Sequence, residues 1–515
     1  MTLLSRRNFF GSLIAAAAGS FAAPSALAQT SGRVRFPDYP FKLGVASGCP
    51  SSEGVVLWTR LVVDPFDVES LPEASIRVTW EIAEDEAFTK IAKRGTRIAR
   101  IENAHSVHAE VFGLEAGREY FYRFVAGDEV SSIGRTKTLP IVGTPVNRYK
   151  FAVASCQSIT DGYFAAYRDV VEQNPDLVLH VGDYIYTSAY IGEDRRIPVA
   201  EAVSLNDYRS LYARYKLDPA LQASHAACPW VSIWDDHEVQ NDWGNTFHLS
   251  NLSDKEFGQR KIDALRAYFE HQPLRLSSLL NRNEARIYSR FALGNLLEFN
   301  LLDFRQYRSV PGCDRATNGM ITSCKPGVRT SMLGDNQERW FERSFGSSNA
   351  IWSVIAQTTY MAPFDYGQGD TRLLKADGWD AFPDARQRLL DAVSKRRPRN
   401  AVSLGGEIHA YYAGIVHAIA EDPRSKPLLV EFLTTSISSG GGGEERYNTV
   451  HKLFSKNTFA RYFNNRSRGY LLCDVDQKEW RSFVRAVRDV RNPSSESFNL
   501  KTLIVQDGNA EISVQ

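Results

Sequence analysis

Short apolar runs that are followed at once by polar residues constrain the fold of this chain most strongly. Residues 151–155 and 177–181 have the composition of buried strands, and the intervening residues 164–171 have the pattern of a helix. This order predicts neighbouring strands of an open α/β sheet. Because ligands bind at the carboxyl ends of such strands, the polar residues after each run are candidates for a functional site.

The same alternation continues along the chain and predicts one large α/β domain over residues 146–515. Further strand or helix segments are residues 300–304, 336–345, 351–357, 384–394 and 401–404. A chain of 515 residues is too long for one ordinary core, so a second domain is expected.

Residues 35–140 predict an all-β domain. Short alternating runs at 55–59, 76–82, 106–111 and 120–124 are separated by turn-forming residues. Residues 114–122 have the pattern of a corner in which the hydroxyl of Tyr120 or Tyr122 bonds back to the preceding loop, so a fibronectin- or immunoglobulin-like β-sandwich is predicted. The linker at 139–145 contains two prolines and a glycine and marks the boundary. We expect this domain to pack against the α/β domain or to shape the functional site of that domain.

Residues 1–28 predict a targeting segment. Residues 5–10 resemble the twin-arginine export signal, an alanine-rich stretch follows, and residues 26–28 suit cleavage before Gln29. The alternative is a membrane anchor, but a span needs roughly 20 apolar residues, and two glycines and two serines interrupt this stretch. We therefore expect export by the twin-arginine machinery to the periplasm or the medium, with no stable membrane anchor in the mature form.

The charge and cysteine content exclude two classes of protein. The chain has 61 basic and 60 acidic residues, and removal of residues 1–28 changes the formal charge from +1 to −1, so no nucleic-acid recognition is expected. Six cysteines are too few for a disulfide scaffold. Cys313 and Cys324 bracket a polar loop, where they either form a local disulfide or remain free thiols.

Four segments place metal-capable residues directly after predicted strands. They are residues 155–158, 182–186, 234–238 and 405–409. Their order resembles the motif series of calcineurin-like metallophosphoesterases. More closely, it resembles the PhoD-like alkaline phosphatase/phosphodiesterase family, with a cysteine in the first motif, Gly-Asp-x-x-Tyr in the second and Trp-Asp-Asp-His-Glu in the third. Residues 44–48 and 56–60 also match the leading domain of that family, so the resemblance covers nearly the whole mature chain.

The resemblance implies both a fold and an activity. The fold is an N-terminal fibronectin/Ig-like β-sandwich followed by a calcineurin-like α/β domain, in which a β-sandwich is flanked by helices. The activity is that of an exported enzyme that hydrolyses phosphate esters by metal-activated hydroxide, for phosphate acquisition. Two alternatives stay open: a phospholipase D-like diesterase, and a non-catalytic secreted binding protein on the same fold.

The resemblance also implies a first metal site. Asp183 corresponds to the catalytic aspartate that bridges two metal ions. Gly-Asp-x-x-Tyr is similar to the arrangement in purple acid phosphatases, where the tyrosine binds ferric iron, so Tyr186 is expected to do so here. Cys156 would supply a thiolate and His409 an imidazole to the same Fe(III) ion.

The second metal ion would be held by Asp183, Asp236 and Glu407, with a carbonyl oxygen from Asn241. Oxygen ligands of this kind favour calcium, magnesium or manganese over zinc. The family pairs calcium with iron, so Ca(II) is expected, with Mn, Mg or Zn as alternatives. The family usually has aspartate where this chain has Glu407, and glutamate reaches one methylene farther.

His237 is the expected catalytic and substrate-binding histidine. It matches the histidine that contacts the phosphate in the third motif and protonates the leaving group. Asp235 or Glu238 is expected to orient its imidazole ring.

Arg305 and Arg308 are candidates for holding substrate, because the planar guanidinium group suits phosphate oxygens. The alternative is a buried structural pair of Asp303 and Arg305. The glycine run at 440–443 either cradles a phosphate through its backbone N–H groups or forms a flexible loop, and the loop is the prediction.

Overall fold

Two large β-sheets pack face to face in the computed structural model, which describes residues 34–515 except 68, 189, 192–197, 282–283, 316–318 and 325–327. The predicted export signal lies outside the described residues. From edge to edge, the ten-stranded sheet consists of β29 (Ser513–Val514), β28 (Ser497–Gln506), β27 (Glu479–Val487), β26 (Arg468–Asp476), β9 (Arg148–Ala154), β10 (Leu177–Val181), β13 (Trp230–Ile233), β1 (Val45–Gly48), β2 (Gly54–Arg60) and β5 (Ser106–Phe112). The seven-stranded sheet consists of β16 (Ser289–Leu293), β17 (Leu297–Leu301), β20 (Trp352–Ala356), β22 (Asn400–Gly405), β24 (Pro427–Leu433), β23 (Tyr411–His417) and β25 (Ala460–Asn464). Phe151 and Phe299 meet between the sheets with ring centroids 5.2 Å apart.

The strands β9, β10 and β13 lie side by side and run parallel. Leu177 of β10 is opposite Phe151 of β9, and Val178 is opposite Trp230 of β13. Both faces of these strands are covered, which explains their continuous apolar sequences. Their carboxyl ends therefore meet at one edge. In the other sheet, β22 runs parallel to its neighbours β20 and β24.

Seven helices occur in the described part of the chain. They are α1 (Ala166–Gln173), α2 (Leu205–Lys216), α3 (Pro219–Ala227), α4 (Asp254–His271), α5 (Gly334–Ser344), α6 (Pro383–Arg396) and α7 (Gly443–Lys452). Helices α5 and α6 share an apolar cluster with residues of the seven-stranded sheet. Capping boxes at Ser204 and Ser253 begin α2 and α4. Within the described residues, no helix has both the length and the apolar character that a membrane span requires. The mixed α/β class is as predicted.

The N-terminal strands form a sandwich that shares one of its layers with the ten-stranded sheet. The other layer contains β4 (Ile91–Arg100), β3 (Ser75–Ala83), β6 (Glu119–Ala126) and β7 (Glu129–Val130), with β8 (Gly134–Lys137) also paired to β6. The backbone N–H of Glu115 donates to the hydroxyl of Tyr120 at 2.9 Å, which is the predicted corner. Gly48 of β1 pairs with Trp230 of β13, so the N-terminal strands cover an edge that β13 would otherwise expose. Residues Val34–Gln515 accordingly form one compact unit.

Three small sheets complete the described part of the fold. The three-stranded sheet contains β18 (Cys313–Arg315), β19 (Met320–Cys324) and β21 (Leu374–Lys375), and two hairpins contain β11 (Tyr190–Ile191) with β12 (Pro198–Val199) and β14 (Leu279–Asn281) with β15 (Glu284–Ala285). Cys313 lies opposite Cys324 in the β18–β19 pair, and the two form a disulfide. Of the two states that the sequence left open for these cysteines, the structure has the disulfide.

Candidate metal centre

The chain turns sharply after the strands that lead into the site. Cys156 and Asp183 follow β9 and β10 with φ of 55° and 56°. Glu407 and His409 follow β22 with φ of 60° and 51°. The left-handed region is sparsely populated by residues other than glycine, and such strain clusters at functional sites.

Four potential ligands converge where β9, β10 and β22 end. The thiol of Cys156 donates to Oδ2 of Asp183 at 3.4 Å, and the hydroxyl of Tyr186 donates to the same oxygen at 3.1 Å. The Tyr186 hydroxyl also lies 3.0 Å from Nε2 of His409. Ligand atoms of Cys156, Asp183 and His409 lie within 4.8 Å of one another. The sequence-predicted first site is thus brought together at one place.

The electrostatics of this group suit a bound cation. Burial raises the pKa of the Cys156 thiol, and the neighbouring Asp183 raises it further. Burial also raises the pKa of Asp183, with Asp236 adding to the effect, and raises the pKa of Tyr186. A positive ion would reverse these shifts, because it stabilises the deprotonated forms that ligate metals.

His409 is held in a tautomer that can ligate. Burial lowers the pKa of His409 to about 3, so its imidazole is neutral. Its Nδ1 lies 2.6 Å from the carbonyl oxygen of Gly440, which assigns the proton to Nδ1 and leaves the Nε2 lone pair facing Tyr186. The chemistry of the donor set therefore fits a metal ion.

Asp183 also belongs to a second group, with Asp236 and His237. Burial opposes ionisation of Asp236, but the charges of His237 and Arg305 outweigh it and hold the pKa of that carboxyl below its ordinary value. Its Oδ2 accepts from the backbone N–H of Asp242 at 2.7 Å. These two carboxylates can face a second cation.

His237 stands beside both groups. Its ring stacks on Tyr186 with centroids 4.3 Å apart, and its backbone N–H donates to Oδ1 of Asp183 at 3.3 Å. Its Nδ1 is buried and has no hydrogen-bond partner among the described residues. His237, Asp183, Asp236 and Asn241 line a cavity of 620 Å³.

Glu407 fits the second site less well. It lies in none of the three groups of potential metal ligands found among the described residues. Its two carboxylate oxygens instead accept hydrogen bonds from Nζ of Lys375 at 3.0 and 3.2 Å. The carboxylate faces the same cavity, but an ammonium group occupies its oxygens.

Glu238 supports the site through backbone contacts. Its carboxylate accepts from the N–H groups of Asp183, Tyr184 and Asp235 at 3.2, 2.7 and 2.9 Å. The sequence favoured Glu238 or Asp235 as the partner of the His237 ring. In the structure Glu238 instead ties together the two turns that carry Asp183 and Asp235.

Arg305 and Arg308 lie buried behind the cavity. Nε of Arg305 donates to Asp235 at 2.6 Å, and its two terminal nitrogens donate to Asp377 at 3.0 and 2.8 Å. Arg308 pairs with Asp377 at 2.7 Å. Between Asp303 and Arg305 the contact is a hydrogen bond from the backbone N–H of Arg305 to Oδ1 of Asp303 at 2.9 Å. All three side-chain nitrogens of Arg305 thus donate to protein groups. Asp377, which accepts from the two terminal nitrogens, was not predicted from the sequence.

The glycine run at 440–443 packs against the metal centre. Gly440 supplies the carbonyl group that fixes His409. A Cβ atom at Gly441 would lie 1.7 Å from Nη2 of Arg468, and Nη1 of Arg468 donates to the His409 carbonyl at 2.7 Å. The run therefore supports His409, a role that the sequence reasoning missed because the contact spans 31 residues.

Comparisons with known proteins agree with this geometry. Residues 151–483 match the model of the PhoD-like phosphatase family, and residues 26–140 match its N-terminal domain. Alkaline phosphatase D of Bacillus subtilis is 40% identical over 466 residues, which cover 89% of this chain and 80% of that protein. A solved structure of PhoD is 38% identical and covers 93% of each chain with a TM-score of 0.87. The chain therefore belongs to the PhoD-like phosphatase family, as its four motifs predicted.

Proposed function

We propose that this phosphoric ester hydrolase acts at the 620 Å³ cavity and depends on metal ions held at the ends of β9, β10 and β22. The observation that carries the proposal is the convergence of Cys156, Asp183, Tyr186 and His409, which are linked by a continuous series of hydrogen bonds. Metal ions at such a centre activate water at neutral pH and neutralise the charge that develops on the phosphoryl group.

We assign ferric iron, Fe(III), to these four residues and Ca(II) to Asp183, Asp236 and Asn241. Thiolate and phenolate groups suit a trivalent iron, whereas carboxylate and carbonyl oxygens suit calcium, manganese or magnesium. Manganese, magnesium and zinc remain alternatives at the second position. Glu407 was the sequence-based candidate for a further calcium ligand, and its contact with Lys375 argues for another role.

The protein's own groups position the substrate and move the proton. His237 lies beside Asp183 and Asp236 on the cavity wall, where it can contact the phosphate and protonate the leaving oxygen. Arg305 and Arg308 would act indirectly, because their ion pairs with Asp235 and Asp377 fix the turn that carries Asp236.

The cellular role that we propose is phosphate acquisition outside the cytoplasm. The twin-arginine-like sequence in residues 1–28 supports export. Residues 35–140 would serve as an accessory sandwich, because they have their own apolar cluster but share a sheet with the catalytic part.

Asp183→Asn tests the proposal directly. We expect the variant to lose hydrolysis of p-nitrophenyl phosphate by about a thousandfold or more, because one neutral side chain replaces the carboxylate common to both groups. Metal content per chain should fall with it. Asp489→Asn, in a surface ion pair with Arg491, is the matched control and should change neither quantity. Retained hydrolysis by Asp183→Asn with its metals still bound would contradict the proposal.

A further inference from the structure

The carboxylate of Glu407 and the ammonium group of Lys375 form a pair on the cavity wall. The Nζ atom lies 3.0 and 3.2 Å from the two oxygens, and the side chains of Lys375 and Glu407 are 28% and 17% exposed, respectively. An ammonium group has three N–H donors, and Glu407 engages two of them in this geometry. Among the described residues Nζ has no other hydrogen-bond partner, so one donor remains for a group in the cavity.

A small covalently closed sheet holds Lys375 in this position. Lys375 lies at the end of β21 and is opposite Met320 of β19, which lines the same cavity. The Cys313–Cys324 disulfide closes the β18–β19 hairpin to which β21 is paired. Backbone pairing therefore fixes the main chain of Lys375 at the cavity, and the ion pair with Glu407 holds its ammonium group.

The wall around Lys375 carries a second cation. Arg446 lines the cavity, and its Nη2 donates to the carbonyl of Ile408 at 2.8 Å, while its Nη1 donates to Gly441 at 3.2 Å. Two positive side chains, Lys375 and Arg446, thus line the same cavity as Asp183 and Asp236. This arrangement suits a negatively charged ligand that contacts the two cationic side chains and also the metal ions that the two aspartates would hold.

We propose that Lys375 binds the phosphoryl oxygens of the substrate, and that Glu407 positions Lys375 instead of ligating the second metal ion. The longer glutamate side chain, where the family usually has aspartate, brings the carboxylate to the lysine. The inference rests on the proposed phosphoesterase function. A phosphate monoester carries up to two negative charges and a diester one, so Lys375 favours monoesters.

The test compares Lys375→Met, Glu407→Gln and Asp236→Asn with the wild-type protein. The matched control is Lys456→Met, which removes a lysine from a similar pair with Asp365 at 2.7 Å. Three quantities are measured: metal content per chain, the affinity for inorganic phosphate by calorimetry, and KM and kcat for p-nitrophenyl phosphate and bis-p-nitrophenyl phosphate.

Lys375→Met is expected to keep its metals. Its phosphate affinity should fall and its monoester KM should rise, each by about tenfold, the usual scale for one charge-assisted hydrogen bond. The diester KM should rise by about threefold or less, because the diester has less charge to lose. Lys375→Arg should restore most of the phosphate affinity. Glu407→Gln should keep the wild-type metal content, whereas Asp236→Asn should lose the second metal.

Two results would overturn the inference. One is the loss of a metal ion from Glu407→Gln to the same extent as from Asp236→Asn. The other is wild-type phosphate affinity in folded Lys375→Met, or in Lys375→Gln should the methionine variant not fold. Phosphate affinity and metal content can both be measured without turnover. A wild-type protein that hydrolyses no ester would show that the proposed function is wrong, and this result is distinct from the two results that overturn the inference.

Discussion

At the scale of single residues, the candidate metal centre contains carboxylates that bond to backbone as well as those that can ligate a metal ion. Glu238 is buried, and its carboxylate accepts hydrogen bonds from three backbone N–H groups in the turns after β10 and β13. Its removal leaves these donors without a partner, and a buried unsatisfied donor is costly.

We predict that Glu238→Gln lowers the free energy of unfolding by about 1–3 kcal/mol, because an amide offers one acceptor oxygen where the carboxylate offers two. Metal content should fall as the turn carrying Asp183 loosens. Urea unfolding and elemental analysis measure the two effects. Glu342→Gln, in an exposed pair with Lys395, is the control and should stay within about 0.5 kcal/mol of wild type. Equal stability of the two variants would refute the role of Glu238.

The sequence predicted some site residues and not others for a physical reason. Cys156, Asp183 and His409 follow buried strands directly, so the strand pattern alone places them at one edge. Lys375 ends the two-residue strand β21 and Asp377 follows it, and their partners are 32 and 72 residues away along the chain. No local periodicity predicts such contacts.

At the scale of elements, the β18–β19 hairpin, which the disulfide closes, pairs with β21 and so supports Lys375 at the cavity. Cys313 and Cys324 are separated by 11 residues, and β19 between them pairs with β21. The predicted helices and strands of this region, such as α5, α6, β20 and β22, occur close to their expected bounds because their periodicity is regular. The small sheet was not predicted, since its strands are too short to show a period.

We predict that replacing Cys313 and Cys324 by serine lowers the free energy of unfolding by about 2–3 kcal/mol, the scale expected for a short closed loop. The monoester KM should rise, because β21 loses its anchored neighbour. Thermal unfolding with and without a reductant measures the effect. The remaining described cysteines are free thiols, so the reductant should lower the Tm of wild type and leave the double variant unchanged. An equal drop in both proteins would contradict the prediction.

At the scale of the whole molecule, the N-terminal strands β1, β2 and β5 belong to the same continuous sheet as β9, β10 and β13. The sequence predicted two separate domains because each part has its own pattern and a linker lies between them. The pairing of Gly48 with Trp230 joins residues far apart in the chain, and no feature of either segment alone indicates it. Family membership, by contrast, was predictable because four motifs in order are specific.

A buried lysine makes the stability of the whole molecule depend on pH. Lys216 lies over the Trp58 ring at 4.3 Å, and its Nζ is 3.4 Å from Nε2 of His225. Burial lowers the pKa of Lys216 to about 7 from 10.5 in the unfolded chain. Between these values the unfolded chain holds a proton that the folded protein lacks, so stability rises with pH across this window.

We predict that Lys216→Met stabilises the protein near pH 7 and removes this slope. The wild-type free energy of unfolding should rise by up to about 1.4 kcal/mol per pH unit from this group between pH 7 and 10. Urea unfolding of metal-free protein at two pH values in that range measures it. The same pH slope in Lys216→Met and wild type would show that the lysine is not the source.

The central claim is that the residues at the ends of β9, β10 and β22 hold metal ions needed for ester hydrolysis. Elemental analysis of the purified mature protein, with hydrolysis measured on the same sample, tests it most directly. We predict about one iron and about one further divalent ion per chain, the stoichiometry of a two-metal centre, with loss of hydrolysis when a chelator removes them. A metal-free protein that hydrolyses phosphate esters at the wild-type rate would contradict the claim.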